Sequence, residues 1–316
     1  MDRQTGITAT PNAPAGKIPQ PSEPLLPDDQ WGHRAWELLQ KLRLRAPLIQ
    51  CITNVVSMDL MANVLLAAGA SPAMLSSIDE ISDFTPGVDA LCINIGTLSE
   101  DGLASMRAAA ATAAAAGRPW VLDPVAVNAS DFRMEACLGL LELRPAVIRG
   151  NASEILGLAS ARRIRNSKGV DSSHQSFDAV EAAKSLSRSS GAIVAVSGDV
   201  DYITDGHVVV GARNGDYMVQ KITATGCAIT ALIAAFISVE PLRALEATAC
   251  ALSIFGVAAE LGMEMAAGPA SLRMHLIDSL DGLNEDVLVF FFFFFFFFGS
   301  GAILGKSLWA SIFIYR

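Results

Sequence analysis

ALCINIGTLSEDGLASMRAAAATAAAAGRPWVLDP, the stretch from Ala90 to Pro124, decides the fold class. Two short runs, Ala90–Ile95 and Trp120–Leu122, are almost entirely apolar, as expected for strands that are buried on both faces. The alanine-rich segment Glu100–Ala116 lies between them, and alanine is the strongest helix former. A strand, a helix and a second strand in this order predict a βαβ unit with parallel strands.

The same alternation continues on both sides of this unit, from about Asp28 onward. The other predicted strands are Leu48–Ile52, Ala73–Leu75, Ala146–Ile148 and Ala192–Val196. The other predicted helices are Met58–Ala68, Met134–Leu143, Asp178–Ser189, Ala228–Val239, Leu242–Met265 and Leu272–Leu280. Asp205-Gly206 and Asn214-Gly215 mark tight turns, so the segment 202–215 predicts a hairpin at a sheet edge. We predict a single-domain α/β fold, with a mostly parallel central sheet flanked by helices.

Composition excludes several classes of protein. The 316-residue chain carries a formal net charge of -9, which argues against nucleic-acid binding. A short basic cluster, Arg162, Arg163, Arg165 and Lys168, lies in a serine-rich stretch and predicts a surface loop. The five cysteines contain no CxxC pair, and the four histidines show no metal-ligand spacing. We therefore expect neither a disulfide framework nor a zinc or histidine-bound metal site.

The N-terminal 30 residues predict a disordered leader. They are rich in Pro, Thr and Gln and lack the apolar core of a secretory signal, so we expect a cytoplasmic protein. An organellar transit peptide is the alternative, although the acidic residues Asp2, Glu23, Asp28 and Asp29 argue against it.

Residues 287–316 form an anomalous tail that contains nine consecutive phenylalanines, Phe290 to Phe298. The uncharged stretch from Val287 to Gly305 nearly reaches the roughly 20 residues that cross a bilayer, so a tail anchor is one interpretation. Translated oligo-T DNA would give the same run. We favour that gene-model artefact, because such a run would promote aggregation of a soluble enzyme. The globular domain is therefore expected over residues 31–286.

The loop Thr223–Ala228 stands directly before an apolar run from Ile229 to Val239. Its small residues and Gly226 permit a tight turn, and the free N–H groups of a following helix would attract a phosphate. Cys227 would lie in the first helical turn, where the helix N-terminus is expected to lower the pKa of its thiol. An ordinary loop capped by Thr225, with a structural cysteine behind it, is the alternative.

Polar residues follow the apolar runs, at the sheet edge where ligands of parallel sheets bind. Asp123 ends one run, and the next run leads into Arg149, Asn151 and Glu154. Asn151 and Glu154 also have the spacing of a capping box, which explains them structurally but leaves Arg149 unexplained. Asp123 and Glu154 near an anion hole would suffice for Mg²⁺ on a nucleotide, and this combination favours phosphoryl transfer. The P-loop and dinucleotide-binding motifs are both absent.

Eight motifs together resemble the hydroxyethylthiazole kinases of the ribokinase-like superfamily, over roughly Ala46 to Leu283. They are Pro47–Asn54, Gly69–Met74, Asn94–Leu98, Leu122–Val125, Ile148–Ile155, Ser197–Asp201, Thr223–Ala228 and Gly268–Ser271. Cys227 occupies the position where other members of the superfamily have an aspartate, and this residue separates thiazole kinases from pyridoxal or hydroxymethylpyrimidine kinases. Ala224 replaces a residue that is often glycine in the family.

The resemblance implies transfer of the ATP γ-phosphate to the hydroxyl of 4-methyl-5-(2-hydroxyethyl)thiazole in thiamine salvage. It implies the following roles: thiazole binding by Asn54, Val56, Met74, Ala224 and Gly226; ATP binding by Arg149, Asn151, Ser197, Gly198 and Thr225; Mg²⁺ binding by Asp123 and Glu154; and proton acceptance by Cys227. It also implies a homotrimer whose sites are shared between subunits. Without the resemblance, Val56 and Met74 would be interpreted as core residues.

The sequence also allows other functions. The chain could phosphorylate pyridoxal or hydroxymethylpyrimidine, or it could be a non-catalytic binding relative. Retention of Asp123, Arg149, Glu154 and Cys227 argues against a silent protein. A cysteine-nucleophile hydrolase would need a histidine beside Cys227, and none of the four histidines lies near a predicted strand end.

Overall fold

The structure, a computed structural model, describes residues 26–27, 30–163, 176–293 and 312–315. Most of the predicted leader, the side chains of the basic cluster (Arg162, Arg163, Arg165 and Lys168) and residues 294–298 of the phenylalanine run lie outside this description.

A single mixed sheet forms the centre of the fold. Its strands are β1 (Leu48–Ile52), β2 (Ser71–Ala73), β3 (Ala90–Asn94), β4 (Trp120–Asp123), β5 (Val147–Asn151), β6 (Ile193–Ser197), β7 (Asp201–Thr204), β8 (Val209–Ala212) and β9 (Ile312–Tyr315). The spatial order is β2-β1-β3-β4-β5-β6-β7-β8-β9. Strands β1 to β6 pair in parallel, and β7 to β9 extend the sheet with antiparallel pairs. The mostly parallel α/β sheet and the hairpin of β7 and β8 are confirmed. The hairpin's predicted position at the sheet edge is wrong, because β9 pairs with β8 and forms that edge.

Eleven α-helices flank the sheet in the described part of the chain. They are α1 (Trp31–Arg45), α2 (Met58–Ala68), α3 (Ile78–Phe84), α4 (Glu100–Ala115), α5 (Asp131–Leu141), α6 (Ala152–Arg163), α7 (Val180–Ser190), α8 (Thr225–Val239), α9 (Ala244–Met265), α10 (Pro269–Gly282) and α11 (Glu285–Phe293). The segment Pro241–Met265 is long and apolar enough to cross a membrane, but 83% of its most apolar window is buried inside the fold. Its apolarity therefore reflects its place in the core.

Side chains alternate between two cores, one on each face of the sheet. On β1, Cys51 joins the core that includes α1, α2, α8 and α9, whereas Ile52 joins the core of α4 to α7. Val121 and Leu122 on β4 divide in the same way. Because both faces are covered by helices, the strands are apolar throughout, and their carboxyl ends meet along one edge.

Several boundaries differ from the sequence prediction. Strand β2 begins at Ser71 instead of Ala73, because its register is set by pairing with Leu48 to Gln50. Helix α5 begins at Asp131 instead of Met134, since the Ser130 hydroxyl accepts a hydrogen bond from the Arg133 N–H and caps the helix earlier.

The ends of the described domain also differ from expectation. Helix α1 is an addition to the prediction, and its buried residues Trp31, Ala35, Leu38 and Leu42 follow a helical spacing. Helix α11 runs from Glu285 to Phe293 across the proposed domain boundary at residue 286, and it packs against α1 and α9.

Candidate active site

The N-terminus of α8 faces the carboxyl ends of the parallel strands. Helix α8 begins at Thr225, three residues earlier than predicted, so Cys227 lies in its first turn as expected. Ala224 precedes the helix with a φ of 70°, the left-handed conformation that glycine adopts most readily. The Thr225 hydroxyl is turned inward, since it donates to the carbonyl oxygens of Val219 (3.3 Å) and Ile222 (3.1 Å).

Arg149 lies directly against Gly226 of this loop. A Cβ added to Gly226 would approach the Arg149 Nη1 to 2.7 Å, so a larger residue at this position would displace the guanidinium. The Arg149 Nη2 donates to the Ser197 Oγ at 2.7 Å, while its buried Nε has no hydrogen-bond partner among the described residues. The structure therefore brings Arg149, Ser197 and Gly226 together. Gly198 follows at the end of β6, where its N–H donates to Asp201 Oδ1 at 3.0 Å.

A chain of side-chain amides links Cys227 to Asp123. The Asn54 Nδ2 donates to the Cys227 Sγ at 3.4 Å and to the Asn94 Oδ1 at 2.8 Å. The Asn94 Nδ2 in turn donates to the Asp123 Oδ2 at 2.7 Å. These residues come from the ends of three adjacent strands and from α8, so the fold places four distant segments of sequence in one network.

Asp123 is fully buried, and its two carboxylate oxygens have different surroundings. Oδ2 accepts hydrogen bonds from Asn94 and from the Thr230 Oγ1 at 2.8 Å, whereas Oδ1 has no hydrogen-bond partner within the described part of the chain. Burial raises the pKa of Asp123 to about 7, and the charge of Glu154 adds to this increase. Arg149, Thr230 and Asn94 partly offset it. An unpartnered oxygen on such a carboxylate fits a site that receives a cation.

Glu154 forms the capping box predicted from the sequence. Its Oε2 accepts from the Asn151 N–H at 2.8 Å, and the Asn151 Oδ1 accepts from the Glu154 N–H at 2.9 Å. Its Oε1 accepts from the Ala126 N–H at 2.9 Å. Both oxygens keep further lone pairs, so Glu154 can still accept from a water molecule.

The expected lowering of the Cys227 pKa is wrong. Burial of the thiol raises its pKa, and the neighbouring charge of Asp123 raises it further. The amides of Asn54 and Asn94 and the charge of Arg149 lower it, without reversing the effect of burial. The helix N-terminus was the only influence visible in the local sequence, whereas the dominant one comes from the surrounding fold.

Val56 and Met74 occupy different environments. Val56 is 60% exposed in the single chain, and its N–H donates to the Asn54 Oδ1 at 3.2 Å. Met74 is half-buried and packs against the same core as Ala224 and Cys227. Met74 therefore contributes to core packing.

Two residues of the site were missed in the sequence. Thr230 interrupts the apolar run Ile229–Val239, and that interruption is the available signal in the sequence. Arg133 on α5 donates to the carbonyl oxygens of Ile95 (2.7 Å), Gly96 (2.6 Å) and Val125 (3.1 Å), which ties together the loops after β3 and β4. It is the only cation in α5, but its partners could not be predicted without the fold.

Three comparisons with known proteins identify the family of the chain. The profile described as "Hydroxyethylthiazole kinase family" matches residues 39–286. A hydroxyethylthiazole kinase of Zea mays is 66% identical over 260 residues, which cover 82% of this chain and 91% of that protein. A hydroxyethylthiazole kinase of Arabidopsis thaliana is 58% identical over 261 residues, which cover 83% of this chain and 94% of that protein.

Solved structures give the same result. A hydroxyethylthiazole kinase from Pyrococcus horikoshii OT3 has 33% identity and a TM-score of 0.78, covering 90% of this chain and all of that one. A pyridoxal kinase from Staphylococcus aureus, at 17% identity and a TM-score of 0.51, covers 67% of this chain and 86% of its own length. The second likeness concerns the fold alone. By sequence and by structure, this chain belongs to the hydroxyethylthiazole kinase family.

Proposed function

We propose that this protein transfers the γ-phosphate of ATP to the hydroxyl group of 4-methyl-5-(2-hydroxyethyl)thiazole, a salvage step toward thiamine. The observation that carries the proposal is the meeting of Cys227 and Arg149 at the N-terminus of α8, with Asp123 linked to Cys227 through the amides of Asn54 and Asn94. The family of the chain supports the same reaction. The helix N-terminus and the guanidinium favour anionic phosphates, and the thiol supplies a polar group for the alcohol.

The ATP phosphates are held at the side of the loop that Arg149 supports. The Arg149 guanidinium and the first N–H groups of α8 supply donors to phosphate oxygens. Ser197 orients Arg149 through the 2.7 Å hydrogen bond, and Gly198 contributes backbone at the end of β6. Asn151 serves through the capping box that fixes Glu154. Thr225 holds the loop, since both of its hydroxyl contacts are internal carbonyl groups.

Asp123 and Glu154 are the proposed Mg²⁺ ligands. The unpartnered Asp123 Oδ1 fits direct contact with a cation, while Glu154, whose oxygens already accept from Ala126 and Asn151, fits contact through water. Bound Mg²⁺ would neutralise charge on the transferring phosphoryl group. Replacing Asp123 with Asn should lower kcat and the affinity for Mg²⁺ together, as measured by activity across a Mg²⁺ titration. Unchanged Mg²⁺ dependence would contradict this ligand assignment.

The acceptor alcohol lies on the other side of the loop, beside Asn54, Val56, Met74, Ala224 and Gly226. Its oxygen attacks the γ-phosphorus, the bond from that phosphorus to the leaving oxygen of ADP breaks, and Cys227 accepts the hydroxyl proton late in the reaction. Because the Cys227 pKa is raised, the thiolate is a minority form at neutral pH. We expect kcat to rise with pH as this thiolate forms.

Cys227→Ser tests the role of the thiolate. A general base contributes about 10²- to 10⁴-fold, so kcat should fall within that range and the rise with pH should disappear. A variant with the turnover and the pH profile of the wild type would exclude the thiolate as the base. The loose transition state of phosphoryl transfer would then leave positioning as the main contribution of this loop.

The acceptor substrate distinguishes the proposed reaction from phosphorylation of pyridoxal or hydroxymethylpyrimidine. ADP formation should be measured with the thiazole alcohol, with pyridoxal and with hydroxymethylpyrimidine under identical conditions. The proposal predicts the highest kcat/KM for the thiazole alcohol. Activity on pyridoxal alone would overturn the assignment, and binding without turnover would indicate a non-catalytic relative.

We propose a homotrimer with sites shared between subunits. Val56, a proposed lining residue, is 60% exposed in the single chain, and its neighbour Val55 is 70% exposed. A thiazole pocket needs apolar surfaces on both sides of the ring, so a second subunit would complete it. Light scattering should give three times the chain mass of 33.3 kDa. A fully active monomer would contradict shared sites.

The cytoplasm is the proposed compartment. A fluorescent fusion to the C-terminus of the full chain should give a diffuse cytosolic signal, the same as a fusion that lacks residues 1–30. Organellar signal that depends on those residues would overturn this proposal.

A further inference from the structure

Two backbone N–H groups fix the orientation of two buried amides in the site. The Gly96 N–H donates to the Asn94 Oδ1 at 2.9 Å, and the Val56 N–H donates to the Asn54 Oδ1 at 3.2 Å. A backbone N–H can only donate, so each of these contacts identifies the amide oxygen. The amide nitrogens must then point to the remaining partners.

The donor and acceptor of each hydrogen bond are therefore fixed: Asn54 donates to both of its neighbours, and Asn94 donates onward to Asp123. Asn94 uses its nitrogen toward Asp123 (2.7 Å) and its oxygen toward Asn54 (2.8 Å). Asn54 has a second N–H, which is directed at the Cys227 Sγ at 3.4 Å. The sulfur is therefore a hydrogen-bond acceptor on the side of Asn54, and a thiol proton must point elsewhere.

Rotation of the Asn94 side-chain amide by 180° would break this arrangement of donors and acceptors. Its nitrogen would face the Gly96 N–H and the Asn54 N–H, and its oxygen would face the Asp123 carboxylate. Asn94 is fully buried, so water cannot satisfy the groups left unpaired by such a rotation. Asp123 and Gly96 together therefore select one orientation of Asn94.

We propose that Asn94 is a positioning residue of the phosphoryl transfer, which acts through Asn54 to hold an N–H group against the Cys227 sulfur. The role in transfer rests on the proposed function, whereas the effect on the sulfur does not. With Asn54 held, the remaining lone pairs of the sulfur are available to the acceptor hydroxyl. Without Asn94, the Val56 N–H at 3.2 Å is the remaining restraint on the Asn54 amide among the described residues, so the Asn54 N–H is held less firmly against the sulfur.

Several other groups face Cys227 and must be kept unchanged in a test. They are Asp123, Arg149 and the thiol of Cys92. Cys51, Cys92, Cys137 and Cys250 are buried, whereas Cys227 is partly exposed. Alkylation of the folded protein by iodoacetamide therefore reports on Cys227, without any requirement for kinase activity.

Asn94→Leu removes both the donor and the acceptor while it keeps the approximate shape. Loss of the N–H on the thiolate should slow alkylation of Cys227 about three- to tenfold at pH 7 and move the rate profile to higher pH. Gln50→Leu is the matched control, since Gln50 is also a fully buried amide, on the adjacent β1, with bonds to Thr85 and Leu75. It should leave the alkylation profile of Cys227 unchanged.

A double-variant cycle tests whether Asn94 acts through Asn54. Asn54→Leu should slow alkylation by itself, and adding Asn94→Leu should slow it no further. In the kinase assay, Asn94→Leu should lower kcat and leave the KM for ATP within twofold. Additive effects on alkylation, or an unchanged profile in folded Asn94→Leu, would overturn the proposal.

The test remains decisive if Asn94→Leu does not fold, because Asn54→Leu removes the N–H itself. Wild-type alkylation in that variant would also overturn the proposal. Failure of the wild-type protein to phosphorylate the thiazole alcohol would refute the proposed function, but it would leave the alkylation result intact. The two failures are therefore distinguishable.

Discussion

Gly96 shows how little space separates the residues of this site. A Cβ at this position would lie 2.7 Å from both the Cβ and the Nδ2 of Asn54. Asn54 is only 6% exposed and is held by two hydrogen-bonded neighbours, Asn94 and Val56. The position of the Asn54 amide therefore depends on the absence of a side chain at residue 96.

We predict that Gly96→Ala displaces Asn54 and lowers kcat/KM at least tenfold. Overpacking of a filled site typically costs about 1–3 kcal/mol, which also predicts a lower melting temperature. Gly87→Ala is the control, since a Cβ there meets nothing within 4 Å. Steady-state kinetics and thermal unfolding of both variants check this. Wild-type kinetics in Gly96→Ala would show that Asn54 need not occupy its observed position.

At this scale, the sequence predicts which residues the fold brings together better than it predicts the chemistry of those residues. Asp123 and Arg149 could be selected because they follow apolar strands directly. The pKa of Cys227 could not, because Asp123, more than a hundred positions away in the chain, and burial by the core determine its direction. Thr230 and Arg133 were missed because their partners lie on other elements.

The turn into α8 is the element on which the proposed site depends most. Ala224 has a φ of 70°, where an L-residue with a Cβ is strained by about 1–2 kcal/mol. Glycine relieves that strain. It also increases the conformational entropy of the unfolded chain, which lowers the stability by about 0.4–1 kcal/mol. The difference between these effects favours glycine slightly.

We therefore predict that Ala224→Gly raises the free energy of unfolding by about 0.5–1 kcal/mol. The KM for ATP should change less than twofold, because the backbone conformation is retained. Ala46→Gly, at the other end of the fold with a φ of 43°, should stabilise similarly with no kinetic effect. Denaturant unfolding of both variants is the measurement. Destabilisation by Ala224→Gly would contradict a left-handed residue at this position.

Glu260 on α9 anchors the segment that leads from β8 toward the same loop. Its Oε1 accepts from the Gly215 N–H at 2.6 Å, and burial raises its pKa to about 7. In the unfolded chain, glutamate titrates near about 4.3. Between these values the folded protein binds more protons, so this group lowers the stability as pH rises through that window.

Glu260→Gln should remove this pH dependence while it keeps an acceptor for Gly215. Relative to the wild type, the variant should gain stability from about pH 5 to pH 8, by at most about 1.4 kcal/mol per pH unit. Urea unfolding at several pH values checks the difference between the two proteins. A constant difference across this range would mean that Glu260 is ionised in the fold throughout.

Element types were predictable because strands buried on both faces are apolar and the helices are rich in alanine. Element ends were less predictable, since Ser130 begins α5 by capping it and Leu48 to Gln50 set the register of β2. Single hydrogen bonds and strand pairing determine where these elements begin, and a pattern of apolar residues does not predict either.

At the scale of the whole molecule, α11 extends from the domain into the start of the phenylalanine run. Leu288 is fully buried and Phe291 is 8% exposed, whereas Phe290 is 48% exposed. The helix therefore contributes its first residues to the core that includes α1 and α9. The proposed boundary at residue 286 divides a helix, so the packed part of the tail extends beyond it.

Leu288→Ala should cost about 2–4 kcal/mol of stability, because it empties a fully buried position. Phe290→Ala in the same helix should cost less than half as much, since its ring is half exposed. Thermal unfolding of both variants separates the two contributions. Equal costs would mean that α11 does not pack as observed, and the boundary at residue 286 would then stand.

The proposed reaction transfers phosphate to a thiazole alcohol at the sheet edge beside the N-terminus of α8. ³¹P NMR of the wild-type protein with ATP, Mg²⁺ and 4-methyl-5-(2-hydroxyethyl)thiazole tests it most directly. We expect one phosphate ester on the hydroxyethyl oxygen for each ADP formed. Formation of ADP and free phosphate without the ester, or an ester only when pyridoxal replaces the thiazole, would contradict it.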